Sequence, residues 1–215
     1  MWARIAFLGV WDTVGALGFP YPRIAALLDR LPWFRHRFHN TRLSESVVFG
    51  CHALAIDDER LAFHPTLWDE PDPRVEHVRF AGMHSDVGGG YAETQLADIT
   101  LQWMARHAMA RGLLLYERHL VTGDPRADGV MHDSRTGIQK LYRRRVRSWR
   151  GPTTPKVHPS VVERSRAVAG YRPWILEREY EVAREPGDQQ VFVASRVCRF
   201  RVLRRLSLGM SGVFV

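Results

Sequence analysis

Cysteine is nearly absent. Cys51 and Cys198 are the two in 215 residues, which excludes a disulfide framework, and there is no Cys-x-x-Cys pair to suggest redox or metal chemistry. No apolar run approaches the roughly 20 residues of a spanning helix. The N-terminus has no basic region, long apolar core and small-residue cleavage site, so no signal peptide is read there. Internal repeats and low-complexity tracts are also missing. So is any Gly-x-Ser-x-Gly, the sharp turn that presents a nucleophilic serine. Gly209-Met-Ser-Gly comes near but sets its second glycine one place early, and Ser211 reads as a tail residue.

What is present fits one soluble domain with a sizeable core. The hydrophobic fraction is 45% and the charged fraction 25%, both ordinary for a globular chain. The net charge of +8 is concentrated late, in Arg143-Arg-Arg-Val-Arg147 with Arg150, and in Arg196, Arg199, Arg201, Arg204 and Arg205. Such clusters are either solvated faces or patches for anionic partners. No nucleic-acid motif accompanies them, so nucleic acid is not expected, and an anionic lipid surface is the favoured partner.

The most informative stretch is Phe80-Ala-Gly-Met-His-Ser-Asp-Val-Gly-Gly-Gly-Tyr91. It follows a predicted strand, Val75 to Phe80, and precedes a predicted helix. It reads as a tight loop carrying His84 and Asp86, with Gly88, Gly89 and Gly90 letting the backbone bend. A second apolar run, Ala3 to Val10, leads directly into Trp11-Asp12-Thr13, so Asp12 also leaves the end of a buried strand. In an α/β fold with side-by-side parallel strands, Asp12 and His84 emerge at one edge of the sheet, where ligands bind. An aspartate orienting an imidazole is half of a serine relay. A carboxylate two residues from its own histidine more often shapes the loop, which makes Asp86 the reserve acid.

Between these segments, Pro20, Pro22 and Pro32 punctuate a loop-rich region with a short helix predicted over 24–31. Leu43, Val47, Cys51 and Leu54 recur at helical spacing and predict a helix over 43–56, with Cys51 in its core and His52 as a structural histidine. Residues 57–72 read as a polar connection. Gln95 to Leu115 is the clearest helix, with Thr94 able to cap it and Asp98 favourable near its positive end. Residues 132–150 read as basic and irregular. Ser160 is expected to cap a short helix near 158–169. Val191 to Ala194 and Val197 to Leu203 read either as strands or as read-through from a frame change.

Taken in order, Leu8-Gly-Val-Trp-Asp-Thr-Val-Gly15, His52-Ala-Leu-Ala-Ile-Asp-Asp-Glu-Arg60 with Phe63, Pro65 and Trp68, Phe80 to Tyr91, Leu96 to Met104, His132-Asp-Ser134, His158-Pro-Ser-Val161 and Tyr171-Arg-Pro173 resemble an α/β-hydrolase family. It is the family that includes the phospholipase effectors of bacterial type VI secretion. The resemblance spans roughly residues 4–176, leaving 177–215 as a tail of unread structure. It implies Asp12 as catalytic acid and His84 as catalytic base, a lipid or other ester substrate, and no cofactor. The family's nucleophile lies upstream of the Trp-Asp-Thr-Val-Gly segment. The chain therefore reads as the C-terminal part of a mostly parallel hydrolase sheet, with Met1 an internal start and the serine segment supplied by an upstream frame or another chain. Alone it is expected to be inactive. Synthesis in the cytoplasm fits, and delivery by a secretion machine would also need no signal peptide.

Two other readings stand beside this one. His84, Asp86 and Asp12 are nitrogen and oxygen ligands of the kind a divalent ion takes, without the helical His pair or Cys set of a strong metal motif. A non-catalytic fragment or pseudoenzyme, needing a partner chain to cover its sheet edge, is the other. Should a different base or nucleophile be used, His52 and His132, and Ser85 and Ser211, are the next candidates.

Overall fold

The computed structural model describes residues 3–14, 41–115, 123–149, 152–186 and 193–194. The segment 24–31, the second arginine cluster and Ser211 lie outside them. Five parallel strands form the sheet: β1 (Leu8–Trp11), β2 (Gly50–Ala55), β3 (Val75–Phe80), β4 (Lys156–Val157) and β5 (Tyr180–Val182). A short antiparallel β6 (Val193–Ala194) follows β5, and the spatial order is the chain order. The sheet therefore extends past residue 176, into the stretch read from sequence as a tail.

β2 corrects the sequence reading. Residues 43–56 do not form one helix. Gly50–Ala55 is a central strand in which all six residues are buried, paired on one side with β1 and on the other with β3. A strand covered on both faces is apolar almost throughout, so its spacing carries no period of two to betray it. Cys51 is buried as expected, but on a strand. Asp12 and His84 consequently follow strands separated by β2 and not adjacent ones.

The side chains of β2 and β3 sort by parity. Cys51, Ala53, Ala55, Val78 and Phe80 face a core completed by Val87, Trp103 and Met104. The last two come from helix α2 (Gln95–Met109), whose buried Leu96, Thr100, Trp103, Met104 and His107 recur every three or four residues, the stripe of an amphipathic helix. Thr94 is the residue before that helix, but its hydroxyl donates to Asp98 and caps no amide. A second core joins Val157 of β4 to Val161, Tyr171 and Ile175. Val161 lies on α3 (Pro159–Ala167), which is capped by the His158 ring accepting from the Ser160 amide. Ser160 is thus the donor at this cap, and His158 the residue that accepts. On the opposite face of the central strands, His52, Trp68 and His77 pack ring against ring.

Candidate active site

Successive parallel strands end in polar residues at one edge. Asp12 follows β1, Asp57 and Asp58 follow β2 after Ile56, and His84 lies four positions after β3. The segment read as a loop around His84 contains a one-turn helix, α1 (His84–Gly88), with His84 as its first residue. Gly89 and Gly90 have φ of 86° and 129°, a region that side-chain-bearing residues rarely enter. Gly88 closes the helix.

Asp12 and His84 meet. Nδ1 of His84 lies 2.7 Å from Oδ2 of Asp12, across 72 residues of sequence. A carboxylate accepts here, so the ring proton sits on Nδ1 and Nε2 is the basic nitrogen. Among the described residues, Nε2 has no partner, and the side chain is 30% exposed. Asp12 is fully buried and has φ of 41°, the positive value found at no other described residue but glycines. Aspartate tolerates that region better than most residues, and such outliers cluster at functional sites.

Five groups fix the pair. The Ala55 amide donates to Asp12 Oδ1 at 3.0 Å. Arg147 donates to Oδ1 and Oδ2 at 2.6 and 2.8 Å and to the carbonyls of Ala55 and Phe63. The Thr13 amide donates to Nε2 of His52 at 3.0 Å, which holds the turn just after Asp12. Asp58 accepts from the His84 amide at 3.2 Å and from Arg60 at 2.6 Å. Phe63 packs its ring edge-on to His84 with centroids 5.3 Å apart. Burial alone would push the Asp12 carboxyl up; the bonds from His84, Arg147 and Ala55 outweigh it and hold it at about 2. Burial, reinforced by His77, drives His52 down to about 3. It is a neutral structural ring, now placed on a strand.

Asp86 is not bonded to His84. It is buried and turned the other way, accepting from the Met83 amide at 2.9 Å, the His132 amide at 3.2 Å and Nδ1 of His132 at 2.7 Å. Tyr91 stacks on that second imidazole at 3.7 Å, and Glu93 approaches its Nε2 at 3.3 Å. Burial opposes protonation of His132, but Asp86 and Glu93 outweigh it and raise its pKa. So α1 carries two histidine–carboxylate pairs back to back, one through His84 and one through Asp86. The second ties α1 to residues 131–134. Asp57 accepts from the Gly82 amide and the Tyr171 hydroxyl at 2.7 and 2.9 Å, and burial pushes it up to about 6.

The metal reading of these residues finds no support in their arrangement. Among the described residues, the group of three or more potential ligands that converges is Cys51, Glu76 and His107, which contains none of Asp12, His84 or Asp86. The sequence reading also gave no role to Arg147, Asp57, Asp58 or Arg60. Arg147 belongs to a basic run expected either as a solvated face or as a patch for an anionic partner, yet it is buried against Asp12. Asp57 and Asp58 did carry a signal, since they follow an apolar run as Asp12 does. In the same arginine run Arg144 pairs with Glu59.

A partial α/β fold with a buried aspartate bonded to a half-buried histidine at the carboxyl edge of its parallel strands is the architecture in hand. Residues 1–107 match the family model described as T6SS, Phospholipase effector Tle1-like, catalytic domain. The match takes in Asp12, Asp58, His84 and Asp86; His132 and Arg147 lie beyond it. No curated protein and no solved structure matches the chain. Among the described residues no helix is long and apolar enough to cross a membrane.

Proposed function

We propose that this chain supplies the acid and base of a serine ester hydrolase acting on acyl esters of membrane phospholipid. The observation that carries the reading is the Asp12–His84 bond, with the His84 side chain left partly exposed. His84 takes the proton of an attacking serine and returns it to the leaving alcohol. Asp12 fixes the tautomer and stabilises the imidazolium that forms between these steps. Arg147 and the Ala55 amide hold the carboxylate in place without replacing its bond to His84. No Gly-x-Ser-x-Gly occurs in the 215 residues, so the nucleophile comes from a segment or chain that packs beside β1. Without it, the chain acts as a non-catalytic piece. The family match supports the lipid substrate, and the arginines of the late clusters would favour an anionic membrane surface.

The test is to graft the serine-bearing segment of a relative onto Ala3 and to assay phospholipid hydrolysis against the ungrafted chain. Activity in the graft alone, blocked by a serine-directed inhibitor, is the expected result. Equal hydrolysis by the ungrafted chain would place a nucleophile within it, with Ser85 and Ser211 the first to replace.

A further inference from the structure

A second cluster lies between the sheet and α2, among groups the ester chemistry does not use. Cys51 of β2 and Glu76 of β3 are cross-strand neighbours in register, and His107 comes down on them from the last turn of α2. Their donor atoms, a sulfur, a carboxylate oxygen and a ring nitrogen, all lie within 4.8 Å of one another. We infer that Cys51, Glu76 and His107 bind one divalent ion of the zinc class, which pins α2 to the centre of the sheet.

His107 carries the argument furthest. It is 4% exposed, and among the described residues neither of its ring nitrogens has a hydrogen-bond partner. No other buried histidine described here leaves both nitrogens unpaired. A buried polar group left unbonded is costly. A candidate acceptor is Glu76, whose Oε2 lies 3.9 Å from Nδ1. That separation is too long for a hydrogen bond. It is close to the spacing of two donors on one tetrahedral ion, about 3.3–3.6 Å from bond lengths of about 2.0–2.3 Å. Closing the ring of three donors around an ion takes movements of roughly 1 Å, within reach of side-chain rotation.

The surroundings fit the assignment. Lys156 donates to the other oxygen of Glu76, Oε1, at 3.0 Å, which fixes the carboxylate with Oε2 turned to His107. Phe49 and Trp103 flank the His107 ring, a dry wall that holds its plane. One thiolate, one imidazole and one carboxylate suit a borderline-soft ion and not calcium or magnesium. On binding, the Cys51 thiol gives up its proton to solvent as its sulfur bonds the ion, so affinity rises with pH.

Cobalt(II) reports the site directly, since a thiolate on cobalt gives a charge-transfer absorption band. The full chain is stripped with a chelator and titrated with cobalt(II), then with zinc(II). One equivalent producing that band, displaced by zinc, is expected. The band should survive Cys198→Ala and vanish in Cys51→Ala, and His107→Gln and Glu76→Gln should each weaken binding. In the native chain zinc should raise the melting temperature and chelator should reverse the rise, a measurement that needs no variant to fold. Absence of the band at saturating cobalt, its persistence in Cys51→Ala, or a melting temperature indifferent to zinc would each overturn the site.

Discussion

Arg147 and Asp12 form a two-pronged ion pair, with guanidinium nitrogens 2.6 and 2.8 Å from the two carboxylate oxygens and both side chains nearly closed to solvent. Taking one member away leaves a buried charge unpaired, which costs far more than the pair itself contributes. Arg147→Met is expected to destabilise the chain by about 3–5 kcal/mol and to raise the pKa of Asp12. Arg147→Lys recovers part of the loss, because an ammonium cannot bond both oxygens in one plane. Denaturant unfolding of the three proteins measures both effects.

The same pair sets an acid limit. Asp12 is held at about 2 against a reference of 3.8. Its contribution to stability is therefore complete above pH 3.8 and is lost as the pH falls through about 2, a loss of about 2 kcal/mol. Asp12→Asn removes that dependence. Comparison of the two unfolding profiles between pH 2 and 5 should show them converging at the acid end.

Asp57 works in the opposite sense. Its folded pKa, about 6, is raised above 3.8, so its contribution is fully present below pH 3.8 and is lost as the pH rises through about 6. Asp57→Asn keeps an oxygen to accept from Gly82 and Tyr171 without the buried charge. It is expected to be more stable than the native chain at pH 7 by about 1–3 kcal/mol, with the gain vanishing near pH 4. A variant less stable at pH 7 would mean the ionised carboxylate is needed.

These outcomes depend on features unequally legible in the sequence. Asp12 and His84 were legible because each lies just beyond an apolar strand, and α2 because its stripe repeats every three or four residues. β2 was not, because a strand buried on both faces has no alternation, and Leu43, Val47, Cys51 and Leu54 happen to fall at helical spacing. Arg147 was hidden for a different reason. Its local neighbours are arginines, which suggests a solvated run, while its partner lies 135 residues away. Asp86 beside His84 illustrates the same limit: proximity in sequence suggested one pairing, and the start of α1 turns the two side chains to different partners.

His132 gives a pH-dependent handle on α1. Its pKa is raised by Asp86 and Glu93, so its stabilising contribution is fully present below about 6.5 and is lost as the pH rises through its folded value. His132→Gln should therefore cost more stability at pH 5.5 than at pH 9. Amide exchange in residues 82–88 should speed up in the variant, most at the lower pH. An equal cost at both pH values would mean His132 acts by stacking on Tyr91 and not through its charge.

The central claim, that His84 and Asp12 are base and acid of an ester hydrolase, is tested most directly by turnover of the serine-grafted chain on phospholipid. The comparison is with its His84→Ala, Asp12→Asn and Asp86→Asn variants, each confirmed folded. The account predicts losses on the order of 10³-fold or more for His84→Ala and about 10⁴-fold for Asp12→Asn, with a much smaller loss for Asp86→Asn. A folded graft whose turnover is unchanged by His84→Ala, or falls as far with Asp86→Asn as with Asp12→Asn, would contradict it.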